Sequence, residues 1–105
     1  MEELKIKLDY SNGPLWKDKY NFETGELSTG IAVIDNDEVI NNLSEEALTE
    51  YTSMFYFDEN GNFKQDEKIY NEKREKIKNL INAIIDRAIT LNDGSYVVIN
   101  EESDF

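Results

Sequence analysis

The strongest constraint on the fold is an apolar stripe at helical spacing between Asp66 and Leu91. Ile69, Ile77, Leu80, Ile81, Ile84, Ala88 and Leu91 fall on one face of a helix. Glu72 precedes Lys76 at the supporting i, i+4 spacing, and Asn92-Asp93-Gly94 supplies the stop. A helix this long must lay its stripe on something, and the rest of the chain offers strands. Glu3 to Tyr10 alternates, with Leu4, Ile6, Leu8 and Tyr10 on one side and Lys5, Lys7 and Asp9 on the other. Ser11-Asn12-Gly13-Pro14 ends that strand with turn chemistry. Lys17–Phe22 and Glu26–Ile34 read as a hairpin around Thr24-Gly25, with Ile31–Ile34 as a buried strand end.

A second helix is predicted from about Asp37 to Phe55, on the recurrence of Ile40, Leu43, Ala47, Tyr51 and Met54. Asp35-Asn36-Asp37 offers its N-cap, and Ser44 offers a second start, with Glu45 and Glu46 in the first turn and Leu43 stapled to Leu48. Asp58–Asn62 reads as a turn between Phe55-Tyr56-Phe57 and Phe63. Ser95–Asn100, apolar over Tyr96–Ile99, reads as a last and central strand, and residues 101–105 as a frayed tail. The expectation is one α+β domain over residues 1–105, ordered β-β-β-α-α-β. An antiparallel or mixed sheet of about four strands would carry two helices on one face.

Charge is the second informative feature. The net charge is −12, and residues 20–63 hold ten carboxylates and no Lys or Arg. Such a field repels nucleic-acid phosphates and anionic membranes and attracts cationic surfaces. With no Cys and no His, disulfides, thiolate metal sites, a cysteine nucleophile and the usual general base are all missing. The charged N-terminus lacks a signal-peptide core and no apolar run approaches a membrane span, so a cytoplasmic location is expected. The bias toward Asn, Ile, Lys and Glu is that of AT-rich coding DNA, as in a low-GC bacterium or its phage.

Sites for chemistry are weak. Asp35-Asn36-Asp37-Glu38 clusters oxygen donors, but a helix cap explains them better than a metal. Asp58–Asn62 fails the calcium-loop pattern, because Phe63 stands where that loop needs Gly. No phosphate-binding glycine loop or Ser–His pair is present, so no catalytic residue, cofactor or metal is assigned. The candidate partner-binding residues are Asp35, Asp37, Glu38, Glu45, Glu46, Glu50, Asp58 and Glu59, with Trp16 and Tyr51 as aromatic anchors. Trp16, Tyr51 and Tyr56 also suit plain core packing.

In size, acidity and lack of catalytic residues the chain resembles bacterial toxin immunity proteins and phage anti-defence proteins of the anti-CRISPR, DNA-mimic kind. The resemblance implies a non-enzymatic inhibitor that occludes a basic protein, such as a toxin nuclease or a nucleic-acid-guided effector. The competing readings are an intracellular adaptor or structural subunit whose acidity serves solubility, and a Mg²⁺- or Ca²⁺-binding protein or small enzyme.

Overall fold

The long helix of the computed structural model, α3 (Glu67–Leu91), is the element around which the chain is arranged. The structure describes residues 1–10, 12–103 and 105; Ser11 of the predicted turn and Asp104 of the predicted tail lie outside them. Asp66 caps α3, its carboxylate accepting from the amides of Lys68 and Ile69 at 3.0 and 3.1 Å. Ile77, Ile81, Ile84 and Ala88 are buried along one face. Lys73 interrupts the stripe, and its ammonium meets Glu50 at 3.0 Å and the Ser53 hydroxyl at 2.8 Å on the neighbouring helix.

That neighbour is α2 (Glu38–Thr52), which buries Ile40, Ser44 and Ala47. The inner side of a strand pair completes the core. β1 (Glu2–Ile6) runs parallel to β6 (Tyr96–Asn100), Leu4 opposite Val98 and Ile6 opposite Asn100. Leu4, Ile6 and Tyr96 join the helix residues in one apolar cluster, whereas Glu3, Lys5, Val97 and Ile99 face outward. Each fully buried Leu or Ile in that cluster stabilises the fold by about 1.5–3 kcal/mol relative to exposure.

The remaining elements are short. β2 (Lys19–Asn21) and β3 (Glu26–Ser28) form one antiparallel hairpin, and β4 (Phe55–Phe57) and β5 (Phe63–Gln65) another. α1 (Ala32–Asp35) is a single turn. The class is α+β, but the strands among the described residues number six and pair in three two-stranded sheets, so the expected sheet of about four strands is corrected.

Three local readings change with it. Ile31–Ile34 is not a strand end. Gly30 at φ 78° breaks the extended run, and Asp35 accepts from the Thr29 amide and hydroxyl at 3.0 and 2.7 Å. The chain therefore turns into α1, and Ile31 and Ile34, three apart, both reach the core. Among the described residues the last strand pairs with β1 alone and is an edge; β1 has a neighbour on each side, through the Ile6–Leu15 bridge. The residues expected to fray make contacts. The Glu101 amide donates to Ile6 O at 2.9 Å, the Leu8 amide to Glu102 Oε1 at 2.9 Å, and Arg74 Nε to Phe105 O at 3.0 Å.

Two tyrosine and glycine contacts fasten the corners. Tyr96, almost fully buried, donates its hydroxyl to Ala88 O in the last turn of α3, satisfying a carbonyl that the helix leaves without a partner. Gly13, at φ 94°, precedes a cis peptide bond to Pro14; a Cβ there would stand 1.8 Å from Lys7 O, so β1 and residues 13–15 approach at a distance only glycine permits.

Candidate functional site

The predicted acidic set divides by what the fold does with each carboxylate. Asp35 is taken by Thr29. Asp37 caps α2 through the Ile40 amide at 2.8 Å and receives Arg87 at 2.8 and 3.1 Å. The Arg87 hydrogen bond holds the Asp37 carboxyl below its ordinary value. Glu50 lies between Lys73 at 3.0 Å and Lys76 at 3.1 Å, which lower its carboxyl likewise, and Glu46 reaches Lys76 more loosely, at 3.7 Å. Asp35, Asp37 and Glu50 therefore brace the fold. Glu38, Glu45 and Glu59 are exposed, with no cationic partner among the described residues. Helical spacing puts Glu38 and Glu45 on the side of α2 away from Ile40, Ser44 and Ala47.

Asp58 opens the β4–β5 turn, where its Oδ1 accepts from the amides of Asn60 and Asn62 at 2.9 and 2.8 Å. It leads to the feature that sequence reasoning missed. Phe57 and Phe63 are cross-strand partners, and by alternation Phe55 points to the same side of the hairpin. Phe55 and Phe63 stack at 5.0 Å and 9° between ring planes. Tyr10, from the end of the first extended segment, sets its ring edge-on to both, at 6.0 and 5.0 Å. Phe57 leans on Phe63 at 5.4 Å and 56°. Phe57 is 65% exposed, and Tyr10 and Phe63 are each 46% exposed.

Tyr51, one of the two expected aromatic anchors, packs against this platform. It is half-buried, with its ring 5.1 Å from Phe55. Burial pushes its phenol up, and the charges of Glu102 and Asp9 add to the effect. Trp16 lies elsewhere, beside β1. Its amide donates to Lys5 O at 3.0 Å, and the Lys7 ammonium covers its ring at 4.7 Å. Tyr56 shares the opposite face of the β4–β5 hairpin with Lys64.

A second exposed apolar group tips the β2–β3 hairpin. Tyr20 and Leu27 are cross-strand partners, and Phe22, 90% exposed, packs on the Tyr20 ring at 4.8 Å. No group of three or more acidic side chains among the described residues is placed to hold a metal ion, and no helix among them is long and apolar enough to cross a membrane. Period-2 alternation of Phe55, Phe57 and Phe63 was the signal available for the platform; the contribution of Tyr10 depends on tertiary placement. No protein-family model, curated protein or solved structure matches the chain.

Proposed function

We propose that this chain is a small acidic binding protein that occupies a basic groove on a partner protein and blocks it. The partner is a nucleic-acid-binding protein or nuclease, with the chain acting as an immunity protein or a phage anti-defence protein in a bacterial cytoplasm. The supporting observation is the Tyr10–Phe55–Phe57–Phe63 platform, exposed at Tyr10, Phe57 and Phe63 and flanked by Asp58 and Glu59, in a chain whose net charge is −12. Exposed aromatics supply the apolar part of an interface and carboxylates steer a cationic partner to it. Occlusion needs no general base and no nucleophile.

The test is to isolate the partner on immobilised chain from a lysate of the source cell, then measure affinity between about 50 and 500 mM NaCl. Affinity should fall steeply with salt, and a charge-reversed variant at Glu38, Glu45 and Glu59 should recover less partner. Equal affinity at both salt concentrations would remove the electrostatic mechanism.

A further inference from the structure

We infer that the β4–β5 aromatic platform receives arginine side chains of a cationic protein segment, an assignment that rests on the acidic-binding reading above. The rings of Tyr10, Phe57 and Phe63 are open to solvent at the surface, while Phe55 stacks beneath Phe63. Their surroundings are anionic. Asp58 follows Phe57 in the chain and keeps one carboxylate oxygen outside its own turn, and Glu59 beside it is exposed. Asp9 precedes Tyr10, and Glu102, which accepts from the Leu8 amide, stands near enough to Tyr51 to act on its phenol. The lysine of this hairpin, Lys64, is on the opposite face with Tyr56.

Exposed rings whose neighbours in the chain, Asp9, Asp58 and Glu59, are anionic suit a cation that is planar and weakly hydrated. A guanidinium stacks on a ring while its N–H groups reach adjacent carboxylates; an ammonium is more strongly hydrated and cannot stack. Two copies of this chain are a poor match, since joining their platforms would bring Asp9, Asp58 and Glu59 of each together. Nucleic acid meets the same repulsion.

The experiment titrates the isotope-labelled chain with alternating Arg-Gly and Lys-Gly peptides of equal length and charge. Calorimetry reads affinity and amide shifts read position. The arginine peptide should bind roughly fivefold more tightly, with its largest shifts at Tyr10, Phe55–Asp58 and Phe63. The double variant Phe57→Leu, Phe63→Leu keeps apolar bulk and removes both π-faces, so the preference should vanish. Phe57→Leu alone, at the more exposed ring, should halve it at least if the double variant does not fold. Equal affinities, with shifts confined to Glu38 and Glu45 on α2, would overturn the platform assignment and leave the acidic-binding reading standing. Failure to bind either peptide would overturn both. Concentration-dependent self-association shifting the same rings would assign the platform to a second copy and overturn the arginine assignment.

Discussion

The guanidinium of Arg87 grips the carboxylate of Asp37 fifty residues away through two hydrogen bonds, at 2.8 and 3.1 Å. The pair ties the start of α2 to the last turns of α3. The folded state therefore holds the Asp37 carboxyl below its ordinary value, as it does that of Glu50 between Lys73 and Lys76. A carboxyl depressed by folding stabilises at pH above its unfolded value, and that contribution is lost as pH falls through the folded value. The melting temperature should be nearly flat above about pH 5 and fall below about pH 4. Asp37→Asn keeps an acceptor for the Ile40 amide and removes the ion pair. Its melting curves should show a shallower acid slope, and an identical slope would refute the assignment.

Tyr96→Phe should destabilise by about 1 kcal/mol, because it leaves Ala88 O without its donor while preserving the ring in the core. Urea denaturation measures this. The far-UV circular dichroism of the folded state should not change.

Gly13→Ala should be among the most damaging single changes, costing about 4 kcal/mol or more. The added methyl meets the Lys7 carbonyl, a backbone atom, and φ is 94°. A denaturation midpoint equal to that of the parent would show that residues 13–15 do not pack on β1 as described.

Glu45→Lys should leave the melting temperature nearly unchanged, since no cation partners Glu45 among the described residues. Glu50→Lys should lower it, because two lysines would then face a third. Partner affinity should respond in the opposite order. Both variants can be compared by scanning calorimetry and by binding at low salt.

Phe22→Ser should change stability by no more than about 0.5 kcal/mol, as its ring is almost wholly in water. A large drop in melting temperature would mean that the β2–β3 tip packs against the body of the fold.

Periodicity recovered what periodicity encodes. The apolar stripe and the Asn92-Asp93-Gly94 stop predicted a helix within a residue of Glu67–Leu91, and turn chemistry located the β4–β5 hairpin. Ile31–Ile34 failed because a short apolar run has no period that separates strand from helix; the deciding contact is Asp35 with Thr29, a side chain reaching back six residues. Strand partners failed for another reason. Nothing in Tyr96–Asn100 says that its neighbour is Glu2–Ile6, so an apolar edge strand read as a central one. At the site, counting charge located the acidic stretch but could not tell Asp37 and Glu50, engaged by cations on α3, from Glu38 and Glu45. That distinction depends on which helix packs beside α2.

The β1–β6 pairing also sets an order of events. Glu2–Ile6 is synthesised well before the strand that lies beside it, Tyr96–Asn100. Until then the inner side of β1 has no ladder to complete it, and closing so long a loop is slow. The nascent chain can wind α3 locally, but the finished core must wait for Tyr96–Asn100 to emerge, and a ribosome stalled before Tyr96 would hold a helical, unsealed intermediate with Leu4 and Ile6 in water.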